Sequence, residues 1–376
     1  MLKDDIIAHR TPLHQHPELG FHTQQTAAFV RQVLQSYGYK DITMALNDAA
    51  VIARLHVGKS QTIAFRADLD ALPITEQTGL SFASAHQGIM HACGHDAHTA
   101  MLLGAAKLLH DAKDSLTYNI VLIFQPAEEG PLPGGALNLL KEVDLHDVSF
   151  FYAFHVTNRL PSGVIGIKLN EACAAPDLWE LEITGKGSHA ATPSLGHSPI
   201  LPAAEIALEF EKLETSLMPS NTVISTTYIN SGVSMNVICD QAHLKGTARS
   251  FSQTERDFLK TKMTEIADRI AEKYHTTAKF CFHYAYDPVY NDEIAAQKMI
   301  QAARKILTEK NVVLLEKPEM VGEDFAYYRK IAPICLSWFG VRGENQAFSD
   351  LHSSSFMLDE EALEKGALLY LTIACS

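Results

Sequence analysis

Three predicted strands, each followed within four residues by acidic residues or a histidine, constrain the fold of this chain most. The strands are apolar and rich in β-branched and aromatic residues, and they cover residues 62–66, 118–124 and 149–154. The polar residues that follow them are, in order, Asp68 and Asp70, Glu128 and Glu129, and His155. Open α/β sheets place their binding sites at the carboxyl ends of the strands. The pattern therefore predicts an α/β sheet with a functional site along one rim.

Composition limits the kind of partner that this chain binds. It has 376 residues, of which 47% are hydrophobic, which is enough for a large core and more than one domain. A net charge of −13 argues against nucleic acid or an anionic membrane as a partner and favours a small molecule. The N-terminal residues are charged where a signal peptide is apolar, no apolar run approaches the ~18 residues of a membrane span, and the scattered cysteines suit reduced thiols. We therefore expect a cytoplasmic protein.

The order of the predicted elements indicates an inserted domain. Strands and helices alternate up to residue 175 and again from residue 288. Between them, residues 176–287 follow the order strand, helix, strand, strand, helix, strand, which is typical of a ferredoxin-like fold. We therefore expect an α/β protein whose discontinuous catalytic domain, residues 1–175 and 288–376, has a mixed sheet flanked by helices and carries a ferredoxin-like insertion.

Residues 91–98 form a dense group of side chains that bind metals. Cys93 and His95 are separated only by Gly94, which allows a turn to direct a thiolate and an imidazole at one ion. We expect both ligands on a loop, held in place by a helix at residues 97–111. Two ligands cannot complete a zinc site, so the others must come from elsewhere in the chain.

The residues at the strand ends and a late histidine supply the missing ligands. The full set is Cys93, His95, one of Glu128 and Glu129, His155 and His352. With a bridging water, this set suits two divalent ions that polarise a carbonyl and activate the water for hydrolysis. Adjacent residues leaving a strand point in different directions, so one glutamate can bind metal while the other acts as general base. The ligands suit zinc, but manganese, cobalt or nickel also remain possible.

A series of motifs resembles one enzyme family over nearly the whole chain. The motifs are His14-x-His16-Pro17-Glu18-Leu19, Arg66-Ala67-Asp68-x-Asp70-Ala71-Leu72-Pro73, Met90-His91-Ala92-Cys93-Gly94-His95-Asp96, Phe124-Gln125-Pro126-Ala127-Glu128-Glu129, Asn236-Val237-Ile238 and Gly322-Glu323-Asp324-Phe325. In this order they are similar to those of the aminoacylases, hippurate hydrolases, indoleacetyl-amino-acid hydrolases and N-acetyldiaminopimelate deacetylases. The positions that depart from the family pattern bear on substrate fit more than on catalysis, and they are Thr23, Cys239, Val321 and Ser354.

The resemblance implies a role for each candidate residue. The metal ligands that it implies are Cys93, His95, Glu129, His155 and His352. It assigns proton transfer to Glu128 and support of the metal cluster to Asp68. The residues that it implies for binding the substrate carboxylate or the developing oxyanion are His189, Asn236 and Arg249, all in the insertion. The insertion would then act as a lid, and it would also join two chains into a homodimer.

The predicted function is that of a metal-dependent amidohydrolase. Such an enzyme cleaves an N-acyl amino acid, here of the N-acetyl type, to a carboxylate and a free amino acid by attack of a metal-bridged water. An N-acetyldiaminopimelate deacetylase of lysine biosynthesis is a second interpretation, because the motifs are shared. The alternative from another class is a non-catalytic metal-binding protein, which would need the ligands but not the spare carboxylate of Glu128.

Overall fold

A computed structural model describes residues 1–216 and 222–376, and the chain forms two compact units. The first unit comprises Met1–Ala172, Tyr290–Pro318 and Asp324–Ser376. The second comprises Cys173–Val289 together with Glu319–Glu323, a short segment that the sequence pattern places in the first domain. Within the described ranges, no helix has both the length and the hydrophobicity that crossing a membrane requires.

The chain up to the insertion builds most of the first unit. Its strands are β1 (Asp41–Ala45), β2 (Ala50–Leu55), β3 (Thr62–Asp68), β4 (Asn119–Gln125), β5 (Val148–Pro161), β6 (Ile165–Ile167) and β7 (Asn170–Cys173). Its helices are α1 (Leu2–Gln15), α2 (Gln24–Ser36), α3 (His95–Asp111) and α4 (Gly135–Glu142). Every residue of β3 is buried, as expected for a central strand that is covered on both faces.

The second unit has the predicted ferredoxin-like order of elements. Its strands are β8 (Ala175–Thr184), β9 (Ser188–His189), β10 (Val223–Ser231), β11 (Val237–Ile238), β12 (Gln241–Ser250) and β13 (Thr277–His283), and its helices are α5 (Ile200–Ser216) and α6 (Gln253–Lys273). Four strands form an antiparallel sheet in the order β10-β12-β8-β13. Alternate residues of β8, among them Trp179 and Leu181, are buried in one core with Phe210 of α5 and Met263 of α6.

The chain after the insertion completes the first unit. Its elements are β14 (Val289–Asn291), α7 (Glu293–Ile306), β15 (Val312–Leu314), a 3₁₀-helix (Asp324–Lys330), β16 (Ile334–Arg342) and α8 (Leu363–Ala374). The main sheet has the strand order β1-β2-β4-β3-β5-β16-β6-β15. The neighbouring strands β4, β3, β5 and β16 are parallel, whereas β2 is antiparallel to β4. The predicted α/β fold with a mixed sheet is therefore confirmed.

Two local predictions at the site are wrong. The strand predicted to end before His155 continues to Pro161, because β16 pairs with it beyond that point, and His155 lies opposite Trp338 inside the ladder. Helix α3 begins at His95 itself, so this histidine is the first helical residue and does not lie on a loop. Strand β1 and helix α4 were not predicted.

Candidate metal centre

The parallel strands bring the predicted site residues to one rim of the first unit. Asp68 is the last residue of β3 and pairs with Gln125, the last residue of β4, so Glu128 and Glu129 follow β4 on the same side. Arg66 pairs with Ala153 of β5, which places His155, two residues later, near the level of Asp68. The polar residues that recur in or after the three strands therefore lie at the same rim of the sheet.

Gly94 allows Cys93 and His95 to lie on either side of a tight turn. Its backbone has a φ of +81°, a left-handed conformation that favours glycine. A Cβ atom at this position would lie 2.4 Å from Cγ2 of Val156. Only glycine therefore fits between the two predicted ligands.

The five predicted metal ligands lie together in overlapping groups. Ligand atoms of Cys93, His95 and His155 lie within 4.8 Å of one another, and so do those of Cys93, Glu129 and His352. The Sγ atom of Cys93 lies 3.5 Å from Nε2 of His155, and Nε2 of His352 lies 3.0 Å from Oε1 of Glu129. The two groups share Cys93, as an arrangement for two neighbouring ions would require.

The electrostatics of the cluster fit a divalent cation. His95 is completely buried, and neither ring nitrogen has a hydrogen-bond partner among the residues that the structure describes. Burial alone would lower its pKa, but Asp68, Asp70 and Glu129 raise the pKa of His95 to about 10. Burial and the neighbouring carboxylates also raise the pKa of the Cys93 thiol well above its ordinary value. A cation would balance this negative charge and favour the thiolate and the neutral imidazole.

A hydrogen bond orients the ring of His155, and a nearby carboxylate faces Nδ1 of His95. Nδ1 of His155 donates to the carbonyl oxygen of Val156 at 2.8 Å, so Nε2, which faces Cys93, carries the lone pair. Nδ1 of His95 lies 3.5 Å from Oδ1 of Asp70. Such partners fix the ring orientation of histidine ligands.

Asp68 belongs to a buried network. The backbone N–H of Val156 donates to Nε2 of His98 at 2.9 Å, so this ring must carry its proton on Nδ1, which donates to Oδ1 of Asp68 at 2.6 Å. Nη1 of Arg66 donates to Oδ2 of Asp68 at 2.7 Å. Burial would raise the pKa of Asp68, but His95, His98 and Arg66 hold it well below its usual range. Asp68 is therefore an ionised carboxylate in a fixed orientation.

Asp70 has a role that the sequence analysis missed. Its two carboxylate oxygens accept hydrogen bonds from the backbone N–H groups of Glu128 and Glu129, each at 3.0 Å. Ala127, the residue before Glu128, has a φ of +57°, so the chain turns sharply after Pro126. Asp70 thus holds the turn that carries both glutamates. Its position two residues after Asp68 in the second motif was the signal that could have pointed to it.

A second buried polar cluster fixes the start of α3. Asp96, next to His95, forms ion pairs with Nε of Arg10 at 2.9 Å and Nδ1 of His14 at 2.8 Å, both on α1. Burial would raise the pKa of Asp96, but Arg10 and His14 lower it. His91 is buried nearby as a neutral ring, because burial lowers its pKa to about 3. These residues support the centre without lying in it.

The predicted substrate-binding residues all lie in the second unit. His189 and Asn236 are exposed and line an open cavity of about 390 Å³ with Gly187, Ser188 and Asp240. Arg249, on β12, is not among the described residues of this lining. Its Nε and Nη1 donate to the carbonyl oxygens of Met320 and Ala248, each at 3.2 Å. The structure therefore brings His189 and Asn236 together, and it places Arg249 elsewhere in the unit.

Several named proteins are similar to this chain over almost its full length. An N-acetyl-L-cysteine deacetylase of Bacillus subtilis is 36% identical over 97% of this chain and 86% of its own length. An N-acetyldiaminopimelate deacetylase of Lacticaseibacillus casei is 34% identical over 97% of this chain and 96% of its own. The crystal structure of a Bacillus subtilis protein described as a dinuclear metal binding peptidase from the M20 family has a TM-score of 0.88 and 34% identity, covering 100% of this chain and 97% of that one. Residues 64–376 match peptidase family M20/M25/M40, and the chain belongs to that family.

Proposed function

We propose that this chain is a metal-dependent amidohydrolase that cleaves N-acyl amino acids to a carboxylic acid and a free amino acid. The observation that carries the proposal is the pair of adjacent glutamates beside the cluster. Glu129 lies with Cys93 and His352, whereas Glu128 is a further buried carboxylate with Oε2 at 3.9 Å from Nε2 of His95. A protein that only stores metal needs no such second carboxylate.

The proposed cofactor is a pair of divalent ions, and the ligand chemistry is compatible with zinc, manganese, cobalt or nickel. The residues that would hold them are Cys93, His95, Glu129, His155 and His352. When bound, the ions supply Lewis-acid polarisation of the amide carbonyl and lower the pKa of water at the site. The imidazole of His95, which has no hydrogen-bond partner among the described residues, and the raised pKa of Cys93 support this assignment.

The side chains around the ions would have different roles in the reaction. Glu128 takes a proton from the attacking water and passes it to the leaving amine nitrogen, which requires one carboxylate that can gain and lose a proton. Asp68 stays ionised, since Arg66 and His98 both bond to it, and it lies 3.7 Å from Nε2 of His95. It therefore supplies a fixed negative charge beside this proposed ligand and does not exchange protons.

The second unit would bind the substrate carboxylate and act as a lid. His189, Asn236 and Arg249 are the residues proposed for this role. A guanidinium suits a carboxylate because it donates two parallel hydrogen bonds. The two hydrogen bonds that the structure describes for Arg249 go to backbone carbonyl oxygens. The relatives act on N-acetylcysteine and N-acetyldiaminopimelate by name, and both substrates carry an α-carboxylate.

We also propose a homodimer that forms through the second unit. Strand β10 lies at the edge of the four-stranded sheet and exposes Tyr228 and Ile229 at 46% and 55%. An exposed apolar edge strand is a ready surface for pairing with a second copy. A monomeric mass in solution would contradict this part of the proposal.

The pair Glu128→Gln and Glu129→Gln tests the function. Glu128→Gln should keep the fold and the bound metal but lose ~10²–10⁴-fold in turnover, the usual contribution of a general base. Glu129→Gln should instead lower the metal content, and excess metal should restore part of its activity. Metal analysis and hydrolysis of N-acetyl, N-benzoyl and N-succinyl amino acids, with N-acetyldiaminopimelate in the panel, measure both. If the wild-type protein binds metal but hydrolyses none of these compounds, the non-catalytic interpretation is correct.

A further inference from the structure

His352 lies on a loop and is the most exposed of the five predicted ligands. The loop follows β16, which ends at Arg342, and His352 itself has a left-handed φ of +63°. Its side chain is 53% exposed, in contrast to the buried side chains of His95 and His155. The position of this imidazole therefore depends on contacts that hold the loop.

Asn158 joins two points of the loop, one on each side of His352. Its side-chain Nδ2 donates to the carbonyl oxygen of Ser349 at 2.8 Å and to that of Met357 at 2.9 Å. His352 lies between these two points. Two acceptors at these distances require a nitrogen with two hydrogens, so the orientation of the amide is fixed. Its Oδ1 has no hydrogen-bond partner among the described residues, so the donor end of the amide is what the surroundings use.

Two backbone hydrogen bonds tie the middle of the loop to the centre. The N–H of His352 donates to the carbonyl oxygen of Ala92, the residue before Cys93, at 2.8 Å. The N–H of Gln77 donates to the carbonyl oxygen of Ser354 at 2.8 Å. Asn158 therefore joins residues 349 and 357 of the loop. The N–H of His352 attaches the part between them to the segment that carries Cys93.

We propose that Asn158 is a positioning residue, which sets the affinity of the metal position that His352 and Glu129 share by clamping the loop of His352. The proposal rests on the proposed function, because it takes His352 as a ligand. Asn158 lies three residues after His155 on β5, so one buried strand would place one ligand directly and another through its loop. Outer partners that orient ligands typically change metal affinity ~10–100-fold.

Asn291 provides a matched control. It is also completely buried in the first unit, and its Nδ2 also donates to two carbonyl oxygens, those of Lys168 and Leu336, each at 2.8 Å. Its Oδ1 accepts from the N–H of Leu336 at 2.7 Å. Replacing Asn291 removes at least as many hydrogen bonds as replacing Asn158, but it should not touch the loop of His352.

The experiment is a zinc titration of the metal-free full chain with Asn158→Ser and Asn291→Ser, using a competing chromophoric chelator. Asn158→Ser should weaken one of the two zinc positions about tenfold or more and leave the other unchanged, whereas Asn291→Ser should bind both as the wild type does. Hydrogen exchange of the metal-free protein should be faster in residues 349–357 of Asn158→Ser alone. Asn158→Thr, which is closer to asparagine in volume and suits a strand, serves if the serine variant does not fold.

The outcomes separate this proposal from the proposed function. If the wild type binds two zinc ions and Asn158→Ser binds both with unchanged affinity, the positioning role is wrong and the proposed function stands. If Asn291→Ser weakens zinc as much as Asn158→Ser does, the effect is general destabilisation and the positioning role is also wrong. A wild type that binds no zinc, manganese, cobalt or nickel overturns both.

Discussion

The two units both bury charged side chains, but they balance the charges differently. In the second unit, Nη2 and Nε of Arg256 donate to the two carboxylate oxygens of Asp177 at 2.6 and 2.8 Å. The N–H of Ala285 donates to the same carboxylate at 2.9 Å. In the first unit, carboxylate oxygens of Asp68, Asp70 and Glu128 lie 3.5–3.9 Å from the nitrogens of the buried His95.

The difference distinguishes a structural ion pair from a binding site. Asp177 meets a guanidinium with matching geometry, and a buried pair of this kind is complete within the protein. Around His95, Asp68 is also bonded to Arg66 and His98, but Glu128 and Glu129 add further carboxylates and raise the pKa of the Cys93 thiol. The cluster therefore has an excess of negative charge that a cation would balance. A buried cluster with excess charge of one sign therefore indicates a ligand, whereas a balanced pair does not.

The largest expected effect comes from removing a ligand in the unbalanced cluster. Cys93→Ser should lower the metal content and reduce activity by at least about 100-fold, because a ligand should matter at least as much as the outer partners that support it. Cys335→Ser is the control, since Cys335 is also fully buried in the first unit but belongs to none of the candidate metal groups among the described residues. A Cys93→Ser enzyme with full metal content and full activity would show that Cys93 is not a ligand. The contrast between the metal cluster and the structural ion pair would then fail.

The balanced pair should affect stability alone. Asp177→Ala leaves the buried Arg256 without its main partner, so the free energy of unfolding should fall by about 3–5 kcal/mol, measured by denaturant titration. Glu180→Ala, which breaks the exposed pair with Lys245 in the same unit, should change it very little. The metal content of the folded fraction should stay at the wild-type level in both variants. A parallel loss of metal in Asp177→Ala would show that the pair is not merely structural.

The smallest effect concerns Arg249, a half-buried cation whose described hydrogen bonds go to carbonyl groups. Arg249→Lys keeps the charge but loses the planar fork, so the preference in kcat/KM for an N-acyl amino acid over its amide should fall about tenfold, the value of one charge-assisted hydrogen bond. Arg269→Lys, on the exposed surface of α6, should leave the preference unchanged. An unaltered preference in Arg249→Lys would remove this residue from the substrate site.

The fold and the members of the cluster were predictable because each corresponds to a pattern of neighbouring residues in the sequence. Apolar strands followed by acidic residues indicated the rim, and the alternation of strands and helices indicated the insertion. The extent of β5 was not predictable, since Thr157 and Asn158 are polar although buried, and only pairing with β16 explains their place in a strand. Long-range pairing has no local trace.

The supporting residues were the least predictable part of the candidate site. Asp70 was visible as an acidic residue, but its partners are two backbone N–H groups that lie 58 and 59 positions away in sequence. The clamp of Asn158 likewise joins residues 191 and 199 positions apart. Side-chain chemistry can be read from a residue, whereas the backbone group that it contacts depends on the finished fold.

The anchoring of two glutamates by one aspartate also affects how the site responds to thermal motion. The backbone N–H groups of Glu128 and Glu129 both donate to the carboxylate of Asp70, so a fluctuation of their turn displaces both residues together. The peptide bond already fixes the spacing of these two neighbouring residues, and what Asp70 adds is a fixed orientation of their turn relative to the end of β3. A change in a loop elsewhere in the protein leaves this orientation in place as long as the carboxylate of Asp70 is kept.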